Sequence, residues 1–184
     1  MIIENTLAYF LGIIVLISWV IISYIKKCTL GNQILVSLFI IYLTTVVSIT
    51  LFPIIIDDET IYPSNINLIP FVNYINSFFV TGVNKTMFLQ LGGNILLAIP
   101  YGVAVPFFMK HKKRSNYIAV ALIFPLSIEI LQLIIGVVMQ TMYRTVDIDD
   151  VILNFIGCII GYVIYKILPN FMKEFFAVRK QDNQ

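Results

Sequence analysis

Five long apolar runs dominate the pattern of the chain, at about residues 6–25, 34–52, 87–109, 117–139 and 148–168. Each run has close to the roughly 20 residues that a helix needs to cross about 30 Å of hydrocarbon. Short polar stretches separate most of them. The pattern therefore predicts an all-α polytopic membrane protein, in which a bundle of about five transmembrane helices forms a single domain over residues 1–184.

The stretch between the second and third runs follows a different pattern. It opens with the acidic residues Asp57, Asp58 and Glu59, and asparagines then alternate with aliphatic and aromatic residues as far as Phe79. Such a mixture is typical of an element that lies in the interface between lipid and water. We expect an extracytoplasmic interfacial segment here.

Composition agrees with a membrane location. The chain is 59% hydrophobic and only 12% charged, and its mean hydropathy is +0.93. These values exclude an ordinary soluble domain, because such domains carry about twice that share of charged residues. The sequence gives no reason to expect a nucleic-acid partner or a cofactor, and it predicts no particular oligomeric state.

The basic residues predict the orientation, because cytoplasmic loops retain Lys and Arg. In the five-span arrangement one side carries Lys26, Lys27, Lys110, Lys112, Lys113, Arg114, Lys166, Lys173, Arg179 and Lys180. The other side carries only Lys85 and Arg144. We therefore expect the amino terminus outside the cytoplasm and the carboxyl terminus inside.

Polar residues interrupt the third and fourth runs at similar depths. An ionisable group at mid-bilayer costs roughly 2.5–3.5 kcal/mol on insertion scales, so each needs a partner or a purpose. Glu129 and Gln132 share a helical face about 15 and 10 Å below the predicted outer end, and Asn94 lies about 10 Å below it. Gly92 and Gly93 precede Asn94, and we expect them to admit a neighbouring helix closely.

The fifth run carries polar and small residues along one face, namely Asp147, Asp150, Asn154, Gly157 and Gly161. Asp149 points elsewhere. The spacing of Gly157 and Gly161 favours tight contact with another span, so this face is expected to be buried. Arg144 is placed to offset the carboxylates. The helices would then enclose one polar site that opens outward.

Two interpretations of this cluster stay open. Arg144, Asp147, Asp150 and Glu129 can form a buried ion-pair network that only fixes helix register. They can instead form a pocket for a polar head group or a small envelope ligand, and clustering at one membrane face favours the pocket. Asp147, Asp149 and Asp150 lack the glycine and distal glutamate of a calcium loop, so we expect no metal.

The residues from Asn67 to the end of the fifth run resemble the VanZ-like family of bacterial membrane proteins. The resemblance rests on Asn67-Leu-Ile-Pro-Phe71, on Asn94 followed by Pro100 and Gly102, on Glu129 with Gln132, and on Arg144, Asp147, Asp149, Asp150, Asn154 and Gly157. It implies a bacterial plasma-membrane location and a link to reduced susceptibility to teicoplanin and related lipoglycopeptides. The expected ligand-binding residues are Asn67, Asn94, Glu129, Gln132, Arg144, Asp147, Asp150 and Asn154.

Three functions compete at this point. The first is a non-enzymatic envelope protein that contacts membrane lipids and holds a lipoglycopeptide or a lipid-linked cell-wall precursor through Glu129, Arg144 and Asp150. The second is an enzyme acting on an envelope lipid, with Glu129 or Asp150 as general base and Arg144 stabilising negative charge. The third, an ion or proton pathway, conflicts with the almost wholly apolar inner halves of the spans. We favour the first.

Overall fold

The computed structural model describes residues 2–55, 66–82, 85–110, 113–140 and 144–176. Its five long helices are α1 (Thr6–Ile25), α2 (Leu30–Leu51), α4 (Lys85–Phe108), α5 (Arg114–Met139) and α6 (Ile148–Ile167), and two short ones are α3 (Val72–Thr81) and α7 (Asn170–Phe176). Six charged residues that support the predicted orientation or interfacial segment lie outside the described residues, namely Asp57, Asp58, Glu59, Lys112, Arg179 and Lys180.

The five long helices are long and apolar enough to cross a membrane, which confirms the predicted all-α polytopic fold. Their ends lie within four residues of the predicted ones. The largest difference is at α2, which begins at Leu30 because the Thr29 side chain accepts a hydrogen bond from the Asn32 N–H and so caps the helix. The orientation of the termini stays a prediction.

Two pairs of very short strands were not predicted. Strand β1 (Ile2–Ile3) pairs antiparallel with β2 (Ile54–Ile55), and β3 (Ile66–Asn67) pairs in parallel with β4 (Val146–Asp147). The second pair sets Asn67 directly opposite Asp147. It therefore fixes the chain that leads into α3 against the start of α6.

Helices α4 and α6 pack closely through small residues. A Cβ added at Gly157 or Gly161 would overlap the main-chain carbonyl of Ile95 or Ile99, and one added at Gly102 would overlap that of Cys158. The predicted tight contact of Gly157 and Gly161 is thus confirmed, with α4 as the partner.

The expectation for Gly92 and Gly93 was wrong. A Cβ added at either position would meet nothing within 4 Å. The close approach instead extends from Ile95 to Gly102 of α4, where the glycines of α6 meet its backbone. Gly93 lines an open cavity instead.

Helix α3 is amphipathic and lies between α2 and α4 in the chain. Its side chains Ile75, Phe79 and Val80 are exposed by 52%, 80% and 83%, whereas Tyr74 and Ser77 are partly buried. At only ten residues the helix is too short to span a bilayer. It has the length and the two faces of an interfacial element.

Charge separates the two ends of the bundle. Among the described residues, the basic end carries one acidic residue, Glu174, and seven cations, namely Lys26, Lys27, Lys110, Lys113, Arg114, Lys166 and Lys173. The acidic end carries two cations, Lys85 and Arg144, and five acidic residues, namely Glu4, Glu129, Asp147, Asp149 and Asp150, within the same described residues. Between them the core is mainly apolar, with Val46, Ala98, Val105, Ala121, Phe124, Ile128 and Cys158 among its members.

The glycine contact predicts a selective loss of stability. Gly161→Ala should lower the free energy of unfolding by about 1–3 kcal/mol, because its Cβ would overlap the α4 backbone. Gly92→Ala should be neutral or stabilising by up to about 1 kcal/mol, since its Cβ enters open space and alanine favours a helix. Thermal unfolding of both purified variants in one detergent checks this difference. Equal melting temperatures would contradict the packing.

The charge asymmetry predicts how the protein is oriented in bacterial cells. Cys28 lies at the basic end, so a membrane-impermeant maleimide should label it only after permeabilisation. Asn76→Cys, on exposed α3, should add labelling in intact cells. Cys158 is fully buried and should stay unlabelled in both cases. Labelling of Cys28 in intact cells would contradict the predicted orientation and indicate the opposite one.

Candidate functional site

Most of the expected site residues line one cavity at the acidic end. The cavity has a volume of about 570 Å³, and its walls include Asn94, Glu129, Gln132, Arg144, Asp150 and Asn154. A second cavity of about 370 Å³ shares Gln132, Arg144 and Asp150 and adds Asp147. The structure therefore brings seven of the eight residues to adjoining walls. Asn67 lines neither cavity and contacts Asp147.

Asp150 connects α6 to α4. Its Oδ1 accepts a hydrogen bond from Asn94 Nδ2, and its main-chain carbonyl accepts one from Asn154 Nδ2 at 2.8 Å. The close packing at Gly157 and Gly161, about two and three turns further along α6, brings these two helices near enough for the first of these bonds. The carboxylate thus lies at the edge of the cavity with one oxygen fixed.

Glu129 fixes α5 against the start of α6. The side chain is 6% exposed, and its Oε2 accepts a hydrogen bond of 2.9 Å from the Asp147 N–H. Asp147 in turn caps α6, because its Oδ1 accepts from the Asp149 N–H at 2.9 Å. Carboxylates suit this position, since the first N–H groups of a helix lack internal partners and its dipole is positive there.

The Asn67–Phe71 segment is a turn docked on the same helix start. Asn67 Oδ1 accepts from the Ile69 N–H at 3.1 Å, and Asn67 Nδ2 donates to Asp147 Oδ1 at 2.8 Å. The Phe71 N–H donates to Asp149 Oδ1 at 2.7 Å. Phe71 has a φ of 60°, in the left-handed region that non-glycine residues rarely adopt. The bond to Asp149 offsets that strain.

Asp149 was expected to point away from the polar face. It is absent from both cavity walls and is fully buried. Its role as the anchor of the segment before α3 was missed, because the sequence does not show that the Phe71 N–H would need an acceptor.

Gln132 and Arg144 bind the carboxyl end of α2. Gln132 Nε2 donates to the Thr50 carbonyl at 2.9 Å, and Arg144 Nη2 donates to the carbonyls of Ile49 and Phe52 at 2.8 Å each. The last carbonyls of a helix lack internal partners and attract cations. This explains why Arg144 bonds to main-chain oxygens, whereas the sequence suggested direct pairing with the carboxylates.

The cavity walls hold acceptor atoms that the protein leaves without donors. Within the described residues, Gln132 Oε1 and Asn154 Oδ1 are buried and have no hydrogen-bond partner. Their residues are 6% and 3% exposed. A buried acceptor without a donor costs about 1–3 kcal/mol, so such groups favour a molecule that donates hydrogen bonds.

Helix α3 covers the second cavity with its polar face. Asn73, Tyr74 and Ser77 line this cavity, and Asn73 Nδ2 donates to Asp147 Oδ2 at 3.3 Å. Burial, together with the nearby charges of Asp150, Asp149 and Asp147, raises the pKa of Tyr74 to about 12. The phenol therefore keeps its proton at neutral pH and can donate it in a hydrogen bond.

The three aspartates of the α6 start are held by separate hydrogen-bond donors. In the part of the chain that the structure describes, no three His, Cys, Asp or Glu side chains are grouped as ligands. Asp147, Asp149 and Asp150 instead accept hydrogen bonds from different residues.

The family comparison covers the helices that form this site. The profile of the family described as VanZ/LLP1 matches residues 39–169, well over half of the chain. The chain belongs to the VanZ/LLP1 family. Neither a curated protein nor a solved structure matches it. The VanZ/LLP1 match begins within α2 and ends beyond α6, so it includes every residue of the two cavity walls.

Sequence reasoning missed several cavity residues of this VanZ/LLP1 protein. Gln90 lines both cavities, and Asn73, Tyr74 and Ser77 line the second. Gln90 precedes Asn94 by one helical turn, so helical spacing could have identified it. The α3 residues gave no such signal, because only the docking of the Asn67–Phe71 turn directs them toward α6.

Loss of the Asp149 anchor should loosen α3. Asp149→Ala removes the acceptor of the Phe71 N–H, which should lower the free energy of local opening by about 1–2 kcal/mol and speed amide exchange about tenfold. Asp149→Asn keeps an Oδ1 acceptor and should exchange more slowly than Asp149→Ala. Hydrogen–deuterium exchange of peptides covering Val72–Thr81 measures this. Exchange that is the same in wild type and Asp149→Ala would contradict the anchor.

Proposed function

We propose that this VanZ/LLP1 protein binds the polar part of a lipidated or lipid-linked envelope molecule in the cavity at its acidic end. In this proposal the acidic end faces outward, and binding there lowers susceptibility to teicoplanin or related lipoglycopeptides. The observation that carries the proposal is the convergence of Asn94, Glu129, Asp150 and Asn154 on one cavity inside an apolar bundle.

The position of the cavity favours a ligand with a lipid part. Residues of the spanning helices α2, α4, α5 and α6 form its walls, and the apolar residues Leu89 and Leu96 of α4 lie in the same wall and are exposed by 63% and 67%. The adjoining α3 exposes Phe78 and Phe79. A head group could therefore enter the cavity while its acyl or polyprenyl chain stays in the bilayer.

The chemistry of the walls favours a ligand rich in hydrogen-bond donors. Asp150 and Glu129 contribute carboxylates, and Gln132 and Asn154 contribute acceptors that have no protein donor in the described residues. Sugars, amines and peptide N–H groups supply such donors. Lipoglycopeptides and lipid-linked cell-wall precursors carry these groups on a lipid-bearing scaffold, so both classes suit the cavity.

The contacts favour binding over catalysis. The enzymatic alternative used Glu129 as a base and Arg144 to stabilise negative charge. In the structure Glu129 Oε2 accepts the Asp147 N–H, and Arg144 Nη2 donates to two carbonyls of the α2 end. Both side chains thus already hold helices together, and binding uses this fixed wall without requiring either group to exchange a proton.

The proposal predicts a change in teicoplanin susceptibility. Expression in a susceptible Gram-positive host should raise the minimum inhibitory concentration of teicoplanin and reduce cell-bound fluorescent teicoplanin. Asp150→Asn should remove most of the effect, because replacing a charged hydrogen-bond acceptor by a neutral one weakens binding about 10- to 100-fold. Glu174→Gln removes an exposed carboxylate at the basic end and should retain the full effect.

A glycopeptide without an acyl chain serves as the comparison drug. Its inhibitory concentration should change less than that of teicoplanin if a lipidated ligand is recognised. The proposal fails if the wild-type protein, present in the membrane at verified levels, leaves both teicoplanin readouts unchanged. It also fails if Asp150→Asn and Glu174→Gln behave alike.

A further inference from the structure

A separate small cavity lies at the basic end of the bundle. It has a volume of about 180 Å³ and is lined by Tyr117 of α5, Tyr162, Tyr165 and Lys166 of α6, Lys173 of α7 and the end of α4. The apolar core lies between this cavity and the acidic end. The sequence pattern predicts no helix after the fifth apolar run, so it predicts no site here.

Helix α7 is held against the bundle and brings Lys173 to this cavity. The Phe176 ring packs on Phe107 at 6.1 Å between centroids, and Phe107 packs edge-on against Tyr165 at 5.1 Å. A Cβ added at Gly31 of α2 would overlap the main-chain carbonyl of Phe175. Close packing on α2, α4 and α6 therefore fixes the position of α7.

Two ammonium groups line the same cavity, and each lies over a tyrosine ring. Lys173 Nζ donates to the Lys166 carbonyl at 3.0 Å and lies 5.4 Å from the centroid of the Tyr165 ring. Lys166 Nζ lies 5.3 Å from the centroid of the Tyr162 ring. An aromatic ring stabilises an exposed cation by only about 0.5–1 kcal/mol and carries no net charge. Within the described residues the two positive charges are therefore not neutralised. An anion between them would be favoured.

We propose that this cavity binds the phosphate of an anionic phospholipid, with the glycerol and upper acyl carbons against the tyrosine rings and Met109. Lysine side chains at helix ends extend toward the lipid phosphates, and basic pockets between transmembrane helices hold anionic head groups. The charge of this end favours an anionic lipid, because its described residues include seven cations and one acidic residue, Glu174. The apolar part of the lining favours a lipid over free phosphate.

The site is independent of the proposed ligand cavity at the acidic end. Its residues come from α5, α6, α7 and the end of α4 with the following Met109, and none of them lines either cavity at the acidic end. A negative result in the teicoplanin assays would therefore not contradict the site at the basic end. A negative result for the basic-end site would likewise not contradict the proposed ligand cavity.

Native mass spectrometry of the full chain tests the site directly. Purified protein is titrated with phosphatidylglycerol and, separately, with phosphatidylcholine of the same acyl chains. The wild type should retain phosphatidylglycerol preferentially, and Lys166→Gln with Lys173→Gln should weaken that binding about tenfold or more, because each lysine near a lipid phosphate contributes to affinity. Lys166→Arg with Lys173→Arg keeps both charges and should retain binding.

The control removes the same charge elsewhere on this end. Lys26 and Lys113 are exposed and lie outside the cavity wall, so Lys26→Gln with Lys113→Gln should bind phosphatidylglycerol like the wild type. Equal loss in the two double glutamine variants would show general charge attraction and overturn the site. Equal retention of both lipids, or displacement of phosphatidylglycerol by millimolar inorganic phosphate, would also overturn it.

Discussion

The close contact between α4 and α6 is the interaction on which the acidic-end cavity depends. Hydrocarbon offers no hydrogen bonds, so polar side chains within spanning helices must find partners inside the protein. Gly157 and Gly161 let the α4 backbone approach α6, and this approach allows Asn94 to reach Asp150. Larger residues in place of the two glycines would separate the helices and break the hydrogen bond between Asn94 and Asp150.

The start of α6 then determines the arrangement of the other elements. Asp147 accepts hydrogen bonds from Asn67 and Asn73, Asp149 accepts from the Phe71 N–H, and the Asp147 N–H donates to Glu129. One helix terminus therefore positions β3, α3 and α5. Acidic side chains are suited to this, because they accept several donors and the helix dipole favours negative charge there.

The sequence predicted the parts that follow from local periodicity. Five apolar runs became the five long helices, and the helical face with Asp150, Asn154, Gly157 and Gly161 packs on a neighbouring span. It did not predict partners that depend on three-dimensional docking. Arg144 bonds to carbonyls of the α2 end because those oxygens lack donors, and Gly92 and Gly93 face open space because α6 approaches further along α4.

The two ends of the bundle carry opposite charge, and a mainly apolar core separates them. The acidic end combines carboxylates with acceptors that have no donor among the described residues, and the basic end combines lysines with tyrosines. The core between them includes Ala98, Ala121, Phe124 and Cys158. The described core between them is mainly apolar, so an ion crossing it would meet a large desolvation cost. The arrangement therefore fits the two proposed binding sites at opposite ends of the bundle better than it fits a route across it.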